Sequence, residues 1–157
     1  MEPLAYFITW TTYGTWLPGD ERGWWDEGTS GVQSPDPHLA ELVGMSMTEA
    51  AVVLSDEQRS LVDREIHSTC RDRGWFLHEC NVRTNHVHVV VAAIGRDGET
   101  VREQIKAKCS RALSDHAGIP PTSGTNGRKK WWTEKGNIRK LFDEISLAAA
   151  IAYVQNQ

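Results

Sequence analysis

Apolar positions recur along this chain with two different periods, and the switches between them mark its elements. LAYFITWTTYGTW, from Leu4, is rich in aromatic and β-branched residues and predicts a first strand. From about residue 14 to 54 the pattern dissolves into Gly- and Pro-punctuated sequence, LPGDERGWWDEGTSGVQSPDPH, which predicts a long loop insertion. A short helix over PHLAELVGMSM is expected within it, and a loop of this length in a compact domain usually carries function or motion. Helical spacing then sets in: Leu61, Val62, Ile66 and Cys70 form a stripe, opened by the capping box Ser55–Gln58 and closed by Gly74. WFLHECNV and HVHVVVAA, joined by RTN, read as a hairpin. Thr100 and Glu103 form a second capping box, starting a helix that runs to about His116. PPTSGTNGRKK reads as a polar loop, and KWWT and IRKLF flank EKGN as a further hairpin. An alanine-rich helix closes the sequence from its N-cap Asp143.

The order β, α, β, β, α, β(β), α predicts one α+β domain over residues 1–157. It is the ferredoxin-like split βαβ plan, an antiparallel sheet with its first two helices on one face and an additional C-terminal helix. The second face of the sheet is left for something else.

Composition narrows the setting. No apolar run approaches the roughly 20 residues needed to cross a membrane, and MEPLAYFITW lacks the layout of a signal peptide. Cys70, Cys80 and Cys109 are odd in number and form no CxxC pair, which points to a cytoplasmic protein with reduced thiols and away from a zinc knuckle. The net charge of −4 hides a split: residues 1–100 carry seven basic and sixteen acidic side chains, residues 101–157 ten and five. A basic second part suits a polyanion, although a solvated helix face and a charged turn would give the same count.

The candidate chemistry begins in NVRTNHVHVVVAA. In a strand His86 and His88 point to one face and Val87 to the other, so two imidazoles stand side by side at a spacing that can grip one metal ion. Such a pair is also compatible with ordinary strand histidines. In the last helix, Tyr153 is followed at i+3 and i+4 by Asn156 and Gln157, a phenol and two carboxamides on one face. A lone tyrosine on such a helix would usually be core.

Together these segments resemble a known family. TNHVHVVV is similar to the histidine–hydrophobic–histidine motif of the single-tyrosine HUH transposases, and AYVQNQ to their tyrosine helix. YFITWTTYGTWLPGD and GWFLHECNVRTNHVHVVV resemble the REP-associated branch, with Arg83-Thr84-Asn85 where many relatives have Met-Pro-Asn. The resemblance runs from about Ala5 to Gln157.

It implies that Tyr153 attacks a DNA phosphodiester, leaving a 5′-phosphotyrosine and a 3′-hydroxyl for later rejoining. A phenol ionises near pH 10 in water, so the nucleophile needs activation. His86 and His88 would hold Mg²⁺ or Mn²⁺, with Gln157 as third ligand or Asn156 in its place. The expected partner is single-stranded or stem-loop DNA. Lys106, Lys108 and Arg111 on the second helix, with Arg128, Lys129 and Lys130 in the loop, would meet phosphates. Trp131 and Trp132 would offer base stacking at about 1–3 kcal/mol each, although alternation sends one of them to the core. Family members place the tyrosine helix in cis or exchange it within a homodimer, and both arrangements stay open. The competing reading is a non-catalytic nucleic-acid-binding module, since ferredoxin-like sheets also serve as RNA platforms, though no RNP-like aromatic pair is present. A hydrolase of small phosphates lacks the clustered carboxylates of two-metal sites.

Overall fold

The computed structural model describes residues 1–14, 36–38, 41, 50–119 and 130–157. Most of the expected 14–54 insertion lies outside these residues, including Trp24 and Trp25 and most of its short helix, of which Pro37, His38 and Glu41 are helical. The loop ahead of Lys130 also lies outside them.

Four strands, β1 (Ala5–Thr11), β2 (Phe76–Val82), β3 (His86–Ala92) and β4 (Asn137–Leu141), form one antiparallel sheet in the order β2-β3-β1-β4. Helices α1 (Asp56–Arg73) and α2 (Gly98–His116) cover one face, and α3 (Glu144–Gln155) lies on the other. This is the expected ferredoxin-like plan with its additional helix.

The caps follow the local chemistry. Ser55 and Gln58 exchange side-chain and backbone bonds at the start of α1, and Gly74 ends it in the left-handed region at φ 73°. Helix α2 begins earlier than the expected Thr100 box. Its N-cap is Asp97, whose carboxylate accepts from both the backbone and the hydroxyl of Thr100. A carboxylate at a helix N-terminus also meets the positive end of the helix dipole, which favours Asp97 over Thr100.

The expected hairpin around EKGN does not form. Its arms pair along the first strand instead: Trp132 bridges Thr12, just past β1, while Asn137 pairs with Thr9. Between these two pairs lie two residues on one side, Trp10 and Thr11, and four on the other, and the surplus is absorbed at Lys135 (φ 64°) and Gly136 (φ 134°). A Cβ at Gly136 would stand 2.6 Å from the Thr9 carbonyl oxygen, so only glycine fits this approach. Two cations of α2 gather the carbonyls this bulge leaves over. Arg102 donates to Gly136, and Lys106 donates to Thr133 at 2.9 Å and Lys135 at 2.6 Å.

The main core lies under α1 and α2 and joins Tyr6, Ile8 and Trp10 of β1 to Val87, Val89 and Val91 of β3. A smaller cluster, Ala5, Val90, Leu141, Ala150 and Val154, seats α3. The three cysteines are free thiols. Among the described residues no helix is long and apolar enough to cross a membrane.

Candidate active site

Strand alternation puts Thr9 of β1 and His86 and His88 of β3 on the face that carries α3. The registers then align four polar side chains across the whole sheet: Asn81 is opposite His88, His88 opposite Thr9, and Thr9 opposite Asn137. His86 stands one step along, opposite Thr11, and the two imidazole centroids are 4.8 Å apart.

Each imidazole is oriented through Nδ1. That of His88 is 2.9 Å from Thr9 Oγ1, and that of His86 is 2.7 Å from Asn85 Oδ1. An amide oxygen only accepts, so His86 Nδ1 carries the hydrogen and the lone pair of the neutral ring lies on Nε2. Contacts of this kind orient metal-ligating histidines and set their tautomers. His88 is 6 % exposed, and its pKa is pushed down to about 4, first by burial and then by the positive charges of His86 and Arg83. It therefore stays neutral through the physiological range. That makes it a lone-pair donor and a weak proton acceptor.

Helix α3 brings the phenol to this pair. Burial of Ala150 and Val154 against Ala5, Val90 and Leu141 fixes the helix on the sheet, and Tyr153 flanks that seat. Its ring lies edge-on to His88 at 5.6 Å and tilted against Phe7 at 5.8 Å, while 51 % of the residue remains exposed. The helix packs on its own sheet, so phenol and imidazoles come from one chain. The carboxamides are not gathered with them. Asn156 caps α3 and donates to Ala152, and Gln157 donates to Tyr153, both to backbone carbonyls of the helix itself. Among the described residues no three His, Cys, Asp or Glu side chains are grouped to hold a metal ion. The donor chemistry of the imidazole pair suits a divalent ion that accepts nitrogen ligands, Mn²⁺ more readily than Mg²⁺.

The expected DNA contacts divide. Lys106 does not reach outward: it is 5 % exposed, bonded to the bulge carbonyls, and burial pushes its pKa down to about 8. Trp131 and Trp132 are both buried, their indole nitrogens donating to Ser114 Oγ and to the Lys106 carbonyl. Neither ring is presented to a base, so both take the core role that alternation allotted to one of them. Lys108 and Arg111 are exposed, but α2 lies on the face opposite the histidines. Lys130 is exposed, with its ammonium 5.6 Å from the Tyr13 ring centre. Arg128 and Lys129 lie outside the described residues.

Sequence reasoning missed Thr9, Phe7, Asn81 and Arg139. Arg139 is exposed opposite Phe7, on the face of the tyrosine. Period-two spacing from the buried Leu141 would have placed Asn137 and Arg139 there.

No protein-family model and no curated protein matches this sequence. Solved structures do match it. A candidate transposase from Deinococcus radiodurans R1 aligns with 100% of this chain over 92% of its own, with a TM-score of 0.55 and 14% identity. A REP-associated tyrosine transposase bound to a REP hairpin aligns with 98% of this chain and 66% of its own, at a TM-score of 0.54 and 13% identity. At these identities the likeness is one of fold. This chain has the fold of those transposases.

Proposed function

We propose that this chain is a single-tyrosine HUH transposase, a metal-dependent enzyme that cleaves and rejoins single-stranded or hairpin DNA. The observation that carries the reading is the Tyr153 ring against His88, with His86 beside it, all on one sheet face of one chain. The fold shared with a tyrosine transposase bound to a hairpin supports the substrate class.

In the proposed step the half-exposed Tyr153 phenol gives its proton to solvent water and its oxygen bonds to phosphorus. The bond from phosphorus to the 3′ oxygen breaks, and that oxygen takes up a proton. The products are a 5′-phosphotyrosine and a free 3′-hydroxyl, and the reverse reaction rejoins strands without an external energy source. His86 and His88 would hold the ion, with Gln157 or Asn156 as a further ligand once its amide turns from the helix. A bound Mn²⁺ or Mg²⁺ supplies positive charge that polarises the phosphate and offsets charge on the leaving oxygen. His88, neutral and weakly basic, serves as ligand and not as proton acceptor. Phe7 and His88 confine the Tyr153 ring, and Arg139 and Asn137 offer a charge and an amide to the strand being cut.

The test is direct. Incubated with a labelled stem-loop oligonucleotide and Mn²⁺, the wild type should yield a denaturant-resistant adduct that Tyr153→Phe fails to form while still binding DNA. Cleavage by Tyr153→Phe at the wild-type rate would remove the nucleophile assignment. Tight binding without any adduct would instead favour the non-catalytic module.

A further inference from the structure

We infer that Asn81 is a positioning residue for the tyrosine, an inference that rests on the reading of Tyr153 as nucleophile. Asparagine is disfavoured in strands, yet Asn81 sits half-buried in β2 on the face of the site. Its amide Nδ2 lies 3.0 Å from the Val154 carbonyl and 3.4 Å from that of Gln157. The last carbonyls of a helix have no partner within it, and they commonly find one through a left-handed glycine or a basic side chain. Helix α3 has neither: its cap is Asn156 at φ −95°, and its last turn holds no basic residue. The Val154 carbonyl accepts from the Gln157 N–H at 3.4 Å, and Asn81 adds a shorter bond from another element.

Its place in the sheet gives that bond a consequence. Asn81 pairs with His88 across the β2–β3 ladder, and the carbonyl it holds belongs to the residue after Tyr153. One short path therefore runs from imidazole to phenol through a strand pair and a side-chain bond. The apolar seat of α3 fixes the helix against sliding off the sheet, while the Asn81 amide fixes the pitch of its last turn. An error of about 1 Å in such a distance can cost on the order of a hundredfold in rate.

Asn81→Ala and Asn81→Leu test this in the full chain, the leucine keeping the branched shape and removing the donor. The readouts are the single-turnover rate of adduct formation at saturating oligonucleotide, the DNA Kd, and amide exchange over residues 154–157. Both variants should lose about tenfold or more in rate, with Kd within about twofold of wild type and faster exchange in the last turn. A leucine variant as fast and as protected as wild type overturns the inference. So does a Kd that rises in step with the rate loss, which would make Asn81 a DNA contact. If the wild type itself forms no adduct, the nucleophile reading fails, and the exchange comparison alone decides the clamp.

Discussion

The two faces of the sheet are built from the same strands and do different work. Toward α1 and α2, β1 and β3 present Ile8, Trp10, Val87, Val89 and Val91, all fully buried against Ile66, Ile105 and Leu113. Toward α3 the intervening residues are Ala5, Phe7, Thr9, His86, His88 and Val90, apolar at one end of the strands and polar at the other. Hydrophobic stabilisation scales with apolar area removed from water, so the first face supplies most of it. That leaves the second face room for side chains that would be poor core. A sheet can separate stability from chemistry residue by residue, at no greater distance than its own thickness.

The sharpest way to break this contrast is to truncate each face in turn. Trp10→Ala should cost roughly 3–5 kcal/mol, seen as a large fall in the denaturation midpoint. A loss below about 1 kcal/mol would mean that the main core lies elsewhere. The next effect comes from the chemical face and depends on pH. His88 titrates at about 4 in the folded protein and near 6.5 when unfolded. Because the folded value is the lower one, its contribution is complete above about pH 6.5 and is lost as pH falls toward 4. In metal-free protein that loss should be on the order of 3 kcal/mol, and His88→Gln should remove it from the pH profile. Profiles that coincide would show that His88 is not buried as described.

Smaller again is Lys106→Met, which leaves the Thr133 and Lys135 carbonyls without their donor. A cost of about 1–3 kcal/mol is expected by chemical denaturation, with the DNA affinity of the folded protein unchanged. A steep affinity loss with intact stability would return Lys106 to the DNA surface. The smallest stability effect should be that of His86→Ala, about 0.5 kcal/mol or less, since this imidazole is only partly buried. Its effect lies in calorimetric Mn²⁺ titration, where binding should weaken at least about tenfold. Equal affinity in both proteins would rule out the site.

What could be read in advance was whatever depends on period. Alternation placed His86 and His88 together, and the order of elements gave the sheet its plan and the tyrosine its helix. What could not be read was the burial of side chains whose type suggests the surface. Lys106 looked like a phosphate contact because it is a lysine. Yet Arg102, Lys106, Cys109 and Leu113 recur at helical spacing on the buried side of α2, and that spacing was the available signal. Trp131 and Trp132 misled in the same way, because an aromatic beside basic residues suits a core as well as a base. The hairpin around EKGN failed because local turn residues do not say which strand will accept the arms. Asn81 was unreadable for a different reason: its partner is 73 residues away.

Gly136 shows how far the site depends on residues with no chemistry of their own. Any side chain there meets the backbone of Thr9 and Trp10 in a conformation that L-residues resist, and Thr9 is the residue that holds His88. Gly136→Ala is therefore expected to displace the His88 ring, which its imidazole NMR signals would register. In the descent of such a chain, one glycine change would disable the proposed site while both histidines and the tyrosine were inherited intact. A survey of genomes that scored activity by those three letters would count the silent copy as a living one.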